Sequence, residues 1–287
     1  MGDRLEDKEK KNLAFAELAN PEAIIEYLQS GDRRDNIGFL HHYTSVGVAM
    51  KIIRHRLWHL GKAQYMNDEL EYDTGDASLW ERLFFASFMG EDKESIAMWS
   101  MYGQPWEKGV KLSIPKKSLQ KWMKDTQTVH EISLNDYLPT GRAETVEKSA
   151  LRVSAVAYSN CQDLGDENEE ILRWSTAVNK KMRINPANIG GLTGYVKNKA
   201  WAYEKEFRIM LAQDSCHGYQ RAAIEVPDYV MDSMGITPGP LFEGDCRQIL
   251  AEALPTGLQI TDSLFKNKLN IRSICSKCEY KTGNQHV

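Results

Sequence analysis

The chain has 287 residues, of which 42% are hydrophobic and 26% charged, a composition typical of a soluble globular protein and not of a fibrous or disordered one. Its 36 basic and 40 acidic side chains give a formal net charge of -4, so any contact with nucleic-acid phosphates is expected to be local. No run approaches the length of a membrane-spanning helix, and the charged start lacks the apolar region of a signal peptide. We therefore expect a cytoplasmic protein without membrane contact.

Cysteine content and spacing bear on metal binding. The chain has 5 cysteines and no signal peptide, so free thiols are expected. Only Cys275 and Cys278 have the spacing of zinc ligands, and a structural zinc site needs four ligands. We expect no bound metal.

Short apolar runs alternate with helical patterns along the chain. Asn20 followed by Pro21 is a typical helix start, which predicts a helical segment within residues 1–36. Thr44 and Ser45 are expected to cap a helix with apolar positions at a 3.6-residue period. The predicted strands are 37–43, 57–60, 83–88, 109–114, 153–158, 206–211 and 223–226, and the further predicted helices are 96–102, 116–123 and about 171–182. Strands separated by helices of unequal length favour an α+β fold.

The first candidate site is His41-His42-Tyr43-Thr44, at the end of the first predicted strand. An imidazole at a strand end, followed two residues later by a hydroxyl, can bind a sugar hydroxyl or an amide. Helix capping by Thr44 and a partly buried histidine would explain the same residues without any function.

The second candidate site is the segment from Trp201 to Arg208. Glu204 and Glu206 are expected to share one face of a strand beside aromatic side chains. A carboxylate next to apolar walls can accept a hydrogen bond from a ribose hydroxyl or stabilise an oxocarbenium ion. The alternative is an exposed edge strand whose charged side chains pair with their neighbours.

The third candidate site is the segment 98–103. Trp99 and Tyr102 lie on one side of a predicted helix and can form an aromatic wall for a flat ring. The same spacing is also typical of a helix that packs on the core. A fourth polar segment, Asn67–Glu71, is explained equally well as a helix start.

In this order, the segments resemble a bacterial domain-of-unknown-function family, DUF2971, which is similar to the ADP-ribosyltransferase superfamily. The resemblance covers about residues 38–215 and rests on the segments 40–45, 65–71, 86–88, 98–103, 109–112 and 199–208. It implies an α+β fold of split antiparallel β-sheets with surrounding helices, and NAD bound in the cleft. The implied domain spans 37–215, between an N-terminal helical segment, 1–36, and a C-terminal extension, 216–287, packed on the same domain.

The resemblance also implies roles for individual residues. His42-Tyr43-Thr44 matches a His-Gly-Thr motif of the superfamily, except that Tyr43 replaces the glycine whose backbone holds the nicotinamide amide. His42 would position the adenosine-side ribose. Glu206 is the implied catalytic glutamate, and Glu204 is its implied partner in a paired-glutamate motif.

Further residues are implied to build the NAD site. Thr44 and Ser87 would support the cleft. A tyrosine would stack on nicotinamide, with Tyr65 and Tyr102 as the two candidates, and Trp99 would also belong to the NAD-binding site.

An ADP-ribosyltransferase of this kind splits NAD and transfers ADP-ribose to a macromolecular acceptor, without a metal. Relatives occur in toxin–antitoxin and phage-defence loci, so the resemblance implies a toxin or anti-phage effector with an antitoxin protein as partner. The implied acceptor is a nucleic acid such as mRNA, or a protein. A single-stranded nucleic acid would require exposed aromatic side chains and local cations, for which the candidates are Arg33, Arg34, Lys51, Arg54 and Arg56.

Two other classes of protein remain as alternatives. The same cleft would serve a non-catalytic module that binds NAD or a partner. A metal-dependent nuclease built from Asp68, Glu71, Glu204 and Glu206 is the third hypothesis, and it ranks last because these residues form no fixed metal-binding motif.

Overall fold

The computed structural model describes residues 37–66, 81–135, 137–147, 150–159, 194, 196–250 and 258–269. Several predicted features lie outside these residues, namely the segment 1–36, Asn67–Glu71, the helix near 171–182 and the pair Cys275 and Cys278. Within the described ranges, no helix is both long and apolar enough to cross a membrane.

Short strands and a few helices make up the described chain. The strands are β1 (Phe39–Ser45), β2 (Leu57–Lys62), β3 (Leu83–Met89), β4 (Gly109–Pro115), β5 (Thr128–Ile132), β6 (Pro139–Thr145), β7 (Leu151–Ala155), β8 (Ala157–Ser159), β9 (Val196–Asn198), β10 (Glu206–Ala212), β11 (Arg221–Glu225), β12 (Gly235–Pro238) and β13 (Gln259–Ile260). The α-helices are α1 (Val46–His55), α2 (Ile96–Tyr102), α3 (Lys116–Asp125), α4 (Asp228–Ser233) and α5 (Cys246–Leu250), and the 3₁₀-helices are Ala63–Tyr65, Trp106–Lys108, Lys199–Glu204 and Asp214–Cys216. The predicted α+β class is confirmed.

The strands diverge around β3, and this divergence creates the cavity described below. Along one edge, β3 pairs with β10 over its whole length, from Met89 opposite Glu206 to Leu83 opposite Ala212. Along the other edge, Met89 alone pairs with β1, whereas Phe84 and Phe85 pair with β2. The stretch of β3 between these contacts therefore faces the gap between β1 and β2. This arrangement matches the expected split of an antiparallel sheet.

Helix α1 follows β1 directly and covers the core. The Ser45 hydroxyl accepts a hydrogen bond from the Val48 amide at 3.4 Å, so Ser45 is the N-cap. Thr44 lies inside β1, and the prediction that it shares the capping role is wrong. The helix buries Val46, Ala49, Ile52 and Ile53 on the apolar face that the 3.6-residue period predicts.

Two polar strands were missed by the sequence analysis. Residues 124–150 carry little apolar alternation, yet β5 and β6 form there as an antiparallel pair at one end of the sheet. Every described residue of β6 except Glu144 is exposed, which removes the alternation that identifies a strand. The predicted strand 153–158 is in fact divided between β7 and β8.

The part of the chain after residue 215 contributes to the same sheet. β11 lies between β2 and β5, and β12 pairs with β4. The Trp122 indole of α3 donates a hydrogen bond to the Glu225 carbonyl at the end of β11, at 2.7 Å. Strands from the later part of the chain therefore extend the sheet on both sides of the gap, β11 next to β2 and β12 next to β4.

Candidate active site

A cavity of about 380 Å³ opens where β1, β2 and β3 diverge, a volume within the range of small-molecule sites. It brings together seven of the nine residues predicted for the site: His42, Tyr43, Tyr65, Ser87, Tyr102, Glu204 and Glu206. A larger cavity of about 760 Å³, between α3 and β7, contains none of the predicted residues. The smaller cavity is therefore the candidate active site.

Two predicted residues, Thr44 and Trp99, do not line the cavity. Trp99 is completely buried and packs edge-on against the Tyr43 ring at 4.8 Å between ring centroids. It supports α2 from the core side, as the alternative interpretation of the aromatic stripe predicted. Thr44 is also buried, within β1.

His42 bridges the divergence between β1 and β3. Its Nδ1 lies 2.9 Å from the Ser87 carbonyl oxygen, which can only accept, so Nδ1 carries the proton and Nε2 is left as the acceptor. The ring contacts Trp58 and Phe88 at centroid distances of 5.2 and 5.6 Å. Burial lowers the pKa of His42 and outweighs the hydrogen bond to Ser87, which acts in the opposite direction. The site therefore presents a neutral imidazole at pH 7.

Glu206, the first residue of β10, is 2% exposed and is held by two cations. Arg208 donates from Nε to Oε1 at 2.7 Å and from Nη2 to Oε2 at 3.0 Å, a bidentate pair. Lys197 Nζ lies 3.4 Å from Oε2. Burial by itself would raise the pKa of Glu206, but Arg208 and then Lys197 outweigh it and hold the pKa below its ordinary value. Glu206 is therefore ionised at pH 7 in spite of its burial.

Glu204 lies beside Glu206, but its pKa is shifted in the opposite direction. Its Oε2 accepts from Lys197 Nζ at 2.7 Å, and its Oε1 accepts from the Tyr102 hydroxyl at 2.5 Å. Burial raises the pKa of Glu204, and the attraction of Lys197 offsets only part of that effect. The environment thus pushes the pKa values of the two carboxyls apart, an arrangement common at catalytic sites.

The local backbone around the two glutamates differs from the prediction. Glu204 ends a 3₁₀-helix and Glu206 begins β10, so they do not share one strand face as expected. Between them, Lys205 adopts a left-handed conformation with φ 44°. This residue changes the direction of the chain, so that Glu204 enters the cavity from the 3₁₀-helix and Glu206 enters it from β10.

Lys197 and Arg208 complete a buried cluster that the sequence analysis did not identify. Both are at most 5% exposed, and Lys197 Nζ also lies 4.6 Å from the centroid of the Trp201 ring. Arg208 Nη1 donates to the Gly194 carbonyl at 2.8 Å. Gly194 has φ +80°, and a Cβ there would lie 2.5 Å from the Phe85 ring, so this contact requires glycine. Because Glu206 and Arg208 are two residues apart in β10, their side chains lie on the same face, and this spacing could have predicted that Arg208 belongs to the site. No comparable local pattern in the sequence predicts Lys197.

A third buried carboxylate, Glu94, supports the aromatic side of the cavity. It accepts hydrogen bonds from the Trp99 indole at 3.1 Å, the Ser263 hydroxyl at 2.6 Å and the Leu264 amide at 2.9 Å. Phe265 packs on the same small apolar cluster, which includes Tyr43 and Trp99. These contacts fix α2, the helix that carries Tyr102 to Glu204.

His41 makes the stability of the protein depend on pH. Its Nδ1 lies 2.8 Å from the Ser113 hydroxyl, and its buried Nε2 has no hydrogen-bond partner among the described residues. Burial, and then the charge of Lys111, lower the pKa of His41 from 6.5 to about 4. The unfolded chain therefore binds more protons between these two values, and the free energy of unfolding falls by roughly 1.4 kcal/mol per pH unit as pH decreases through that range. We expect the Tm to fall between pH 7 and pH 5.

A pair of variants isolates this contribution. His41→Gln should lose Tm less steeply than the wild type between pH 7 and pH 5. His217, which is 64% exposed, supplies a control for the removal of an imidazole, and His217→Gln should keep the wild-type Tm at pH 7. Identical pH profiles for His41→Gln and the wild type would contradict the assignment to His41. Differential scanning fluorimetry at constant ionic strength measures the Tm of the wild type and of the two variants.

The fold and the cavity together define an α+β protein with two buried carboxylates, a neutral imidazole and a tyrosine around one small-molecule site. A family model described as "Protein of unknown function (DUF2971)" matches residues 98–209, which confirms the resemblance to that family. Among curated proteins, none has significant sequence similarity to this chain.

Three solved structures of DarT from Thermus sp. 2.9 have low similarity to this chain. Its complex with NAD+ has 11% sequence identity and a TM-score of 0.33, covering 82% of this chain and 98% of that chain. Its complex with carba-NAD+ has 10% identity and a TM-score of 0.31, covering 80% and 97%. Its complex with ADP-ribosylated ssDNA has 10% identity and a TM-score of 0.32, covering 82% and 97%.

Proposed function

We propose that this protein is an NAD-dependent ADP-ribosyltransferase that acts as a toxin or anti-phage effector. The observation that carries the proposal is that His42 and Glu206, 164 positions apart by their numbers, line one cavity together with Ser87, Tyr102 and Glu204. These are the residues for which the sequence motifs imply roles in binding and splitting NAD.

The electrostatics of the cavity suit cleavage of the bond between nicotinamide and ribose. That reaction develops positive charge on the ribose ring, so a fixed negative group stabilises the transition state more than the ground state. Glu206 is kept ionised and oriented by Arg208 and Lys197, and we assign to it the stabilisation of this charge. No strong nucleophile is required.

The neutral side chains have orienting roles in this proposal. With its Nδ1 occupied by the Ser87 carbonyl, His42 can accept a hydrogen bond from a ribose hydroxyl through Nε2. Of the aromatic candidates, Tyr102 is fixed by its bond to Glu204, whereas Tyr65 is 62% exposed. We assign nicotinamide stacking to Tyr102, because the ring that holds the leaving group must be positioned by the protein.

A direct assay tests the activity. Purified protein is incubated with NAD labelled in the adenylate phosphate, with and without cell extract, and free nicotinamide is quantified by chromatography. We expect nicotinamide release, and transfer of label to a macromolecule, with no loss of either in EDTA. Nicotinamide release that required a divalent metal would contradict the proposal. NAD binding in calorimetry without any nicotinamide release would instead indicate a non-catalytic binding module.

The proposal also includes an acceptor of ADP-ribose and an antitoxin partner. The acceptor is a nucleic acid or a protein, and fractionation of the labelled extract with nuclease and protease identifies it. A toxin of this kind also has an antitoxin partner. Expression of the protein alone should arrest growth, and the arrest should depend on Glu206.

A further inference from the structure

Two cationic side chains and one histidine, from three different elements, surround the Tyr137 ring next to the active-site cavity. Lys51 Nζ of α1 lies 4.0 Å from the ring centroid, and the guanidinium carbon of Arg221 in β11 lies 4.6 Å from it. The His59 ring of β2 is nearly parallel to the Tyr137 ring, at 8°, with the centroids 6.2 Å apart. We call Lys51, His59, Tyr137 and Arg221 the Tyr137 cluster.

The positive charge of the cluster is not neutralised by the described part of the protein. Neither Lys51 nor Arg221 forms an ion pair with any described residue, whereas Arg142, for example, pairs with Glu131. Burial, followed by the charges of Arg221 and Lys51, lowers the pKa of His59 to about 4, which reflects how close the cations lie. Two cations without an ion-pair partner among the described residues therefore lie close together in a protein whose formal net charge is -4.

The cluster continues into the active-site cavity. His59 lines the cavity, and Arg221 pairs with Gly61, which lines it as well. The Tyr65 hydroxyl donates to Gln220 at 3.1 Å, which places the exposed Tyr65 ring beside the residue that precedes Arg221. Tyr65 is also part of the cavity wall. One surface therefore leads from unpaired cations, past an exposed aromatic ring, to Glu204 and Glu206.

We propose that the Tyr137 cluster binds the backbone phosphates of a single-stranded nucleic acid, one base of which reaches Tyr65 at the cavity. This inference rests on the proposed transferase function and names its acceptor class. Lysine and arginine side chains bind phosphates, and an exposed aromatic ring stacks on an unpaired base. A base that enters the cavity must leave a duplex stack, so a single strand is favoured over a duplex.

A binding experiment without NAD tests the surface. Fluorescein-labelled RNA and DNA single strands of about 12 nucleotides are titrated with protein, and anisotropy is followed over a range of salt concentrations. The double variant Lys51→Ala/Arg221→Ala should bind roughly tenfold more weakly, and the slope of log affinity against log salt should fall by about 1.4, at about 0.7 per lost phosphate contact. The exposed Lys51→Ala single variant should lose about half of that slope.

A charge-matched variant separates local binding from general electrostatics. Lys117→Ala/Lys121→Ala removes two exposed cations from α3 and should bind like the wild type. Equal weakening in both double variants, or no binding by the wild type at low salt, would overturn the proposal. Competition by a duplex or by polyglutamate as strong as that by the single strand would overturn it too, as would displacement of the oligonucleotide by NAD.

The two proposals can fail independently. The binding measurement needs no turnover, so a protein that releases nicotinamide but does not bind the oligonucleotide contradicts only the acceptor assignment. A protein that binds the oligonucleotide through Lys51 and Arg221 but never releases nicotinamide contradicts only the transferase function.

Discussion

Replacing Glu206 with glutamine is expected to lower kcat for nicotinamide release by roughly 100- to 1,000-fold, with a much smaller change in NAD affinity. The side chain keeps its shape, but the charge that would stabilise the oxocarbenium-like transition state is lost. Since the expected interaction strengthens only as the bond breaks, kcat should fall more than KM changes. Chromatography of nicotinamide together with isothermal titration calorimetry of NAD measures both quantities.

The buried setting of Glu206 calls for controls that report on folding. Glu206→Gln leaves Arg208 and Lys197 with one buried carboxylate fewer, and breaking such a buried pair costs about 3–5 kcal/mol of stability. Glu206→Asp keeps the charge but withdraws the carboxylate by one bond, so it should be inactive with a smaller loss of Tm. Glu225→Gln removes a carboxylate that is 75% exposed and should affect neither quantity. Wild-type nicotinamide release by a folded Glu206→Asp variant would rule out the catalytic role.

Lys197→Met is expected to lower the free energy of unfolding by about 3–5 kcal/mol near pH 8. In the wild type, Lys197 Nζ lies between Glu204 and Glu206, at 2.7 and 3.4 Å. Without it, two buried carboxylates are left with the single guanidinium of Arg208. Chemical denaturation at several pH values measures the free energy of unfolding directly.

The sign of the pH dependence distinguishes this effect from simple loss of packing. Burial already raises the pKa of Glu204, and removal of Lys197 should raise it further. A carboxyl whose pKa is higher in the folded than in the unfolded state destabilises the protein increasingly as pH rises above the unfolded value. The difference in stability between wild type and Lys197→Met should therefore grow from pH 5 to pH 8. Lys197→Arg keeps the charge and should show little of this growth, and a pH-independent difference for Lys197→Met would contradict the electrostatic explanation.

Features with a local signal were predicted well from the sequence. The apolar runs of β1, β3, β4 and β10 identify these strands within one or two residues, because their side chains are buried on both faces or alternate. The helix at 96–102 was predicted with its observed bounds. Seven of the nine predicted site residues line one cavity, and five of them, His42, Tyr43, Ser87, Glu204 and Glu206, lie on or next to β1, β3 and β10.

Features that depend on long-range pairing were not predicted. β6 carries almost no buried side chains, so its identity as a strand is set by its partner β5 and not by its own pattern. Lys197 lies in β9, which is brought to the site by its parallel pairing with β8. Most of the chain between these two strands lies outside the described residues. The turn at Lys205 likewise follows from packing, since lysine has no intrinsic preference for positive φ.

The bonds that Glu94 makes with residues 263 and 264 have a consequence for how the protein matures during synthesis. The ribosome completes Glu94 long before Ser263, which lies 169 positions later. Until Ser263, Leu264 and Phe265 have been synthesised, α2 is held by the packing of Trp99 on Tyr43 but lacks the contacts made through Glu94. A nascent chain that already contains Glu204 and Glu206 therefore still lacks the contacts by which residues 263–265 support α2.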